Sequence, residues 1–215
     1  LTSLGLPGSL SSMGDHALNG CSGLTSLELP ASLRSLPACA LYGCSGLASV
    51  SAADGLASIG ERAFYGCTSL ASVSLPDSLT SIGYQAFSGC ASLASVDLPD
   101  SVSTMGYWVL EGCSSLSSVN VPASLSSCSE GEKYVSGRGY VYGGPFAFSP
   151  ISSVSVPEGL RIAFCFQEDR LLPFKTVLEN VLLAASFSCR PKVSKGRSES
   201  PLVASADAKS ISGTT

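Results

Sequence analysis

Leu70-Ala71-Ser72-Val73-Ser74-Leu75-Pro76-Asp77-Ser78-Leu79-Thr80-Ser81-Ile82-Gly83-Tyr84-Gln85-Ala86-Phe87-Ser88-Gly89-Cys90-Ala91-Ser92 is a 23-residue unit, and its repetition decides the fold. Its Gly89-Cys90 has counterparts at Gly20-Cys21, Gly43-Cys44, Gly66-Cys67 and Gly112-Cys113, each 23 residues from the next. A constant period of this length marks stacked repeats. Leu70, Val73 and Leu75 show strand-like alternation, and the same positions hold Leu24, Leu27, Leu29; Leu47, Val50, Ala52; Leu93, Val96, Leu98; and Leu116, Val119, Val121. Leu1, Leu4 and Leu6 open the chain in the same register, and Pro7, Pro30, Pro76, Pro99 and Pro122 close most of these segments.

A second apolar pair follows, Leu79 and Ile82 here and Leu56 and Ile59 one unit earlier, and reads as another short strand. Gly14, Gly60, Gly83 and Gly106 come directly after it and supply a positive-φ or crowded backbone position where the chain turns. A small and a large residue then lead back to Gly-Cys: Ala17-Leu18, Ala40-Leu41, Ala63-Phe64, Ala86-Phe87 and Val109-Leu110. One such unit cannot bury its own apolar side chains, whereas stacking puts each on its counterpart in continuous ladders. Six or seven rungs at the strand spacing of about 4.8 Å make a rod of roughly 30 Å. Each buried Leu-sized group contributes about 1.5–3 kcal/mol, enough to offset the ordering of a rung only when neighbours flank it.

The pattern L-x-x-L-x-L-P-x-S-L-x-S-I-G-x-x-A-F-x-G-C-x-S, clearest from Leu70 through Ser92, resembles the BspA-like class of leucine-rich repeats. The resemblance implies a mainly β repeat solenoid over residues 1 to about 157. It also implies a scaffold, at the cell surface or outside the cell, that contacts or adheres to host or matrix proteins. The third repeat varies locally, with Ala52-Ala53 for Leu-Pro, and in the second Pro37 stands where Gly is usual. After Leu125 the spacing breaks: Ile151, Val154, Val156 and Pro157 repeat the strand signature, but Leu116 to Ile151 is 35 residues, 12 more than one period. An irregular insertion over about 129–145, rich in Gly and Tyr, accounts for the difference as a hairpin or a loop.

Residues 158–186 lie outside the repeat, and Leu160 to Ala184 resembles the Q-loop region of ATP-binding-cassette importer ATPases of the nitrate, sulfonate and taurine type. In that family the residue matching Gln167 contacts the metal and the attacking water. A cassette also needs a GxxxxGK[ST] phosphate loop. Gly137-Arg138-Gly139 and Gly143-Gly144 lack the Lys-Ser that would follow, so the segment reads as a fused fragment without ATPase activity of its own. Pro173 and the helical spacing of Phe174, Val177, Leu178, Val181, Leu182 and Ala185 predict a helix over 173–186. Ser, Lys, Pro and Gly over 187–215 predict a disordered tail. Leu171 to Cys189 carries Lys175 and Glu179 and makes a poor membrane span, and no leader peptide is visible in this chain.

Charge and chemistry narrow the function. Residues 1–130 hold Arg34 and Arg62 against nine acidic residues, a net −7, whereas residues 131–215 hold ten basic and seven acidic residues, a net +3. Nucleic acid is therefore no partner for the repeats, and the basic run Arg190, Lys192, Lys195 and Arg197 reads as a solvated tail. Five of nine cysteines, Cys21, Cys44, Cys67, Cys90 and Cys113, form a once-per-repeat ladder unlike a CxxC metal cluster. Parallel stacking suits buried thiols and not disulfide geometry. Cys39, Cys128, Cys165 and Cys189 fall outside the ladder. With His16 as the only histidine no nucleophile–base pair can be assembled, so no catalytic, metal or cofactor site is expected. Asp54, Asp77 and Asp100 recur after the strand and read as turn residues bonding their own backbone rather than as Ca²⁺ ligands. No N-x-S/T glycosylation triplet occurs.

Surface recognition remains. Alternation turns Ser26, Glu28, Ser49, Ser51, Ser72, Ser74, Ser95, Asp97, Ser118 and Asn120 outward as a flat polar strand face, the candidate partner-binding surface. It lacks the aromatic and Arg anchors that dominate most interfaces, so each rung would add little and binding would need several. A passive spacer kept soluble by its serines is the competing reading.

Overall fold

The structure, a computed structural model, describes residues 2–128, 131–135, 139–144, 146, 149–151 and 153–155. Its strands are β1 (Ser3–Leu4), β2 (Ser26–Leu29), β3 (Ser35–Leu36), β4 (Ser49–Ala52), β5 (Ser58–Ile59), β6 (Ser72–Ser74), β7 (Ser81–Ile82), β8 (Thr104–Met105), β9 (Ser118–Asn120), β10 (Ser127–Cys128), β11 (Gly131–Val135), β12 (Gly139–Gly143) and β13 (Ser153–Ser155). They form a parallel β-solenoid. One wall is the sheet β1-β2-β4-β6 and a second is β10-β8-β7-β5-β3. The register steps by one repeat at each pairing: Leu27 faces Val50, Val50 faces Val73, Ile59 faces Ile82 and Ile82 faces Met105. Like side chains therefore meet, which is how a weakly charged sequence builds one continuous core from Leu24 to Val121.

The remainder of each coil is an arc without strands, and its backbone bonds also run between rungs. Cys39 N–H donates to Glu61 O at 2.8 Å, Arg62 N–H to Tyr84 O at 2.9 Å and Gln85 N–H to Tyr107 O at 3.0 Å. Each of these donors has a left-handed backbone, with φ of 54° at Cys39, 52° at Arg62 and 51° at Gln85, and so do His16 and Trp108. A left-handed non-glycine residue costs about 1–2 kcal/mol, and here it aims an amide along the solenoid axis at the next rung.

Two recurring sets of glycines differ in kind. Gly20, Gly43, Gly66, Gly89 and Gly112 of the Gly-Cys pairs carry positive φ. Gly60, Gly83 and Gly106 are instead the crowded positions: a Cβ on Gly83 would lie 2.6 Å from Glu61 N, and one on Gly106 2.3 Å from Tyr84 N.

At the far end β9 pairs with β13, Ser118 facing Ser153, a step of 35 residues where other rungs step 23. The bond from Trp108 N–H to Gly144 O spans 36 residues, against 22 for the equivalent Arg62-to-Tyr84 bond. The insertion thus adds 14 residues (36 less 22) before Gly144, and the chain recovers two of them before Ser153, leaving the net 12 read from the sequence. Its body is an antiparallel hairpin, β11 against β12, with Tyr134 facing Tyr140. The helix expected over 173–186, the tail 187–215, and Cys165 and Cys189 lie outside the described residues.

A polar strand face as the candidate contact site

The core side of β2, β4 and β9 seals the ladder: Leu27, Val50 and Val119 are buried, while Ser26, Glu28, Ser49, Ser51 and Ser118 on the alternate positions are exposed. Ser72, Ser74, Ser95 and Asp97 continue that exposed surface. Between β2 and β6 it forms a shallow groove of about 330 Å³, lined by Ser26, Leu27, Glu28, Ser49, Val50, Ser51, Ser72, Val73 and Ser74.

Asn120 is placed differently. It is half-buried, and its amide clasps the neighbouring rung: Leu98 N–H donates to Asn120 Oδ1 at 2.9 Å and Asn120 Nδ2 donates to Leu98 O at 2.6 Å. Residues 95–97, whose alternation predicts a strand, form none.

Elsewhere several hydroxyls bond a neighbouring rung. Ser78 Oγ donates to Leu56 O at 2.9 Å and Ser101 Oγ to Leu79 O at 2.6 Å, while Thr25, Thr80 and Ser126 bond carbonyls one rung back. Among the described residues, by contrast, the side chains of Ser26, Glu28, Ser49, Ser51, Ser72, Ser74, Ser95 and Asp97 make no hydrogen bond or ion pair. The strand face thus presents a contiguous set of polar groups that the scaffold leaves unengaged.

The sulfur ladder is structural. Cys44 Sγ donates to Leu18 O at 3.1 Å, Cys67 to Leu41 O at 3.2 Å, Cys90 to Phe64 O at 3.3 Å and Cys113 to Phe87 O at 3.2 Å. Each thiol thereby satisfies a carbonyl of the preceding rung. Burial pushes Cys67 and Cys113 up to about 12 and raises Cys44 and Cys90 as well, so these sulfurs stay protonated and unreactive. Cys21, on the first described rung, is half-buried, having a neighbour on one side only. Cys39 is buried at its left-handed position, and burial, then Glu61, raise its thiol against the opposing pull of Arg62.

The arc carries a polar network of its own. Arg62 lies 3.6 Å from Glu61, donates through Nε to Gln85 at 2.9 Å and sits 4.7 Å over the Tyr84 ring. Burial, then a hydrogen bond to Glu61, push the Tyr84 phenol up to about 12, with Arg62 pulling the other way. Tyr42 stacks on Tyr65 and Tyr84 on Tyr107 with centroids 4.9 and 4.8 Å apart. The repeat period hides this network, because Glu61, Arg62, Tyr84, Gln85 and Tyr107 occupy the two variable x positions after the Gly, and Tyr42 and Tyr65 the variable x before the Gly-Cys pair.

His16 is exposed and accepts or donates at Nδ1 with Asn19 at 3.0 Å. Asp100 does not bond its own turn: its carboxylate accepts from Ala123 N–H, one rung on, at 2.9 Å. No three His, Cys, Asp or Glu residues among those described are placed to hold a metal ion, and no described helix is long and apolar enough to cross a membrane.

Comparison with known proteins agrees with this architecture. A leucine-rich-repeat protein of T. pallidum is 36% identical over 47% of this chain and 50% of its own, with a TM-score of 0.47. One from Eubacterium ventriosum is 20% identical over 75% of this chain and 40% of its own, with a TM-score of 0.60. A leucine-rich cell surface protein of Faecalibacterium prausnitzii is 19% identical over 78% and 37%, with a TM-score of 0.54. The chain spans half or less of the length of each. No curated protein matches it. The resemblance of residues 160–184 to an ATPase segment gains no support here, since the family match ends at residue 132 and that segment lies outside the described residues. Six copies of the BspA-type leucine-rich repeat match over residues 1–71 and 39–132, more than half of the sequence, and the chain belongs to that family.

Proposed function

We propose that this chain is a non-enzymatic, surface-exposed scaffold that contacts another protein through the strand face of β2, β4 and β6 and its continuation through Ser95, Asp97 and Ser118. The observation that carries the reading is a contiguous, in-register set of exposed, unengaged polar groups lining one groove. Several hydroxyls on the other walls, Ser78 and Thr80 among them, bond neighbouring rungs, whereas Ser26, Ser49, Ser51, Ser72, Ser74 and Ser95 are exposed and unengaged among the described residues. Unengaged donors and acceptors gathered on a rigid surface suit recognition. Repeat proteins of this family commonly serve protein contact, and the Faecalibacterium relative is described as a cell surface protein, which accords with display outside the cell.

The test is binding of the full chain to a panel of purified host-surface and matrix proteins, with Ser72→Arg/Ser74→Arg/Ser95→Arg as comparison. All three side chains point to solvent, so this variant should keep the wild-type melting temperature. A partner bound by wild type and lost in the variant is the expected result. Binding indifferent to these charges, or no binding, would leave the repeat as a passive spacer.

A further inference from the structure

Resting on that reading of the strand face, we propose that its partner is an extended basic segment, lying along the solenoid axis with cationic side chains about four residues apart. The outward column through the groove reads Glu28, Ser51, Ser74, Asp97: a carboxylate at each end and hydroxyls between, all exposed. Neither carboxylate has an ion pair or a hydrogen bond among the described residues. Among residues 2–128 no lysine or arginine is free to neutralise them. Residues 1–130 contain two basic side chains: Arg62 is held by Glu61 and Gln85 on the arc, and Arg34 belongs to the second wall, directed at Gly55 O. Asp54 and Asp77, exposed just beyond the strands, add to the negative potential along the same flank.

The spacing selects the geometry of the occupant. Glu28 and Asp97 are three rungs apart, about 14 Å at the inter-strand distance, and residues i and i+4 of an extended chain, on one side, span about 13.5 Å. Two lysines or arginines at that separation would meet the two carboxylates, while the backbone between them crosses hydroxyls able to donate to its carbonyls and accept from its amides. Small side chains keep the floor shallow enough for a main chain to approach. Long-range attraction would draw such a segment in, and the pairing would weaken with salt.

The experiment titrates the full chain with a short acetylated, amidated peptide carrying two lysines four residues apart among Ser and Thr. A peptide with adjacent lysines and one with both lysines replaced by glutamine serve as comparisons. Expected are saturable binding that weakens as salt rises, at least fivefold preference for the four-residue spacing, and about tenfold loss in Glu28→Gln/Asp97→Asn, two exposed ion pairs being worth a few-fold each. Equal binding of the glutamine peptide, indifference to spacing or to the double variant, or no binding at millimolar peptide would each overturn the proposal. A neutral partner bound in the panel and lost in the triple arginine variant, with the lysine peptide failing, would sink this inference and leave the contact face standing.

Discussion

A single side chain in this solenoid acts through its copies. Cys67 is fully buried, donates its S–H to Leu41 O at 3.2 Å, and sits between Cys44 and Cys90. The ladder therefore holds several thiols whose ionisation is opposed by the same desolvation, and this makes a pH prediction with a definite sign. In the unfolded chain these groups lose their protons near 9.0, whereas Cys67 and Cys113 in the fold keep theirs to about 12. Above the unfolded value the unfolded state binds fewer protons, so stability is complete below pH 9, falls as pH rises, and levels off only past the folded value. Each thiol adds at most about 1.4 kcal/mol per pH unit to the slope. Denaturant midpoints measured from pH 7 to 11 should decline above about pH 9, and Cys67→Val should decline less steeply than wild type. Parallel limbs in the two proteins would show that Cys67 ionisation is not part of the alkaline loss.

The repeat made the elements legible and left their local strain hidden. Leu and Val at fixed intervals place both walls, because register in a stacked sheet is set by which apolar groups must coincide. The left-handed residues His16, Cys39, Arg62, Gln85 and Trp108 recur every 23 residues but share no side-chain chemistry, so the sequence marks their equivalence and not their conformation. Their constraint comes from the amide bond to the next rung, which any side chain can accompany. The Asn120 clasp on Leu98 was equally invisible, since alternation alone assigns that amide to solvent. The glycines were half legible: the sequence could not separate positive φ from crowding. That separation is testable, because neither Gly83 nor Gly14 has positive φ and the two differ only in neighbours. A Cβ at Gly83 would meet Glu61 N at 2.6 Å and Gly60 C at 2.7 Å, all backbone, whereas one at Gly14 meets nothing within 4 Å. Gly83→Ala should cost about 2 kcal/mol or more by chemical denaturation and Gly14→Ala about 0.5 kcal/mol or less. Equal costs would mean that helix-like or turn propensity, not inter-rung crowding, sets the requirement for glycine.

At the scale of the molecule, each rung touches only the rungs beside it, so a local length change need not propagate. The far end already demonstrates this. Fourteen extra residues enter before Gly144, yet Gly144 O still accepts from Trp108 N–H at 2.8 Å and β13 still pairs in parallel with β9. The hairpin β11–β12 is attached to the coil as an excursion whose ends must lie close together, since Cys128 pairs with Met105 in β10–β8 and Gly144 is already back on the arc. Closing a loop of that size costs little more than closing a short one, about 0.6 kcal/mol per doubling of length. Deleting residues 130–143 would return the Trp108-to-Gly144 span from 36 to the 22 residues of the inner rungs. The expected outcome is a folded solenoid whose unfolding free energy differs from that of the full chain by about 1 kcal/mol or less, with amide exchange unchanged in the rungs before Cys113. All of the contact face except Ser118 lies in those rungs, so a partner bound to Ser72 and its neighbours should bind the shortened chain equally well. Loss of structure on deletion, or of exchange protection as far back as Phe64, would mean that the hairpin supports the stack and that the solenoid is not one-dimensional in its energetics.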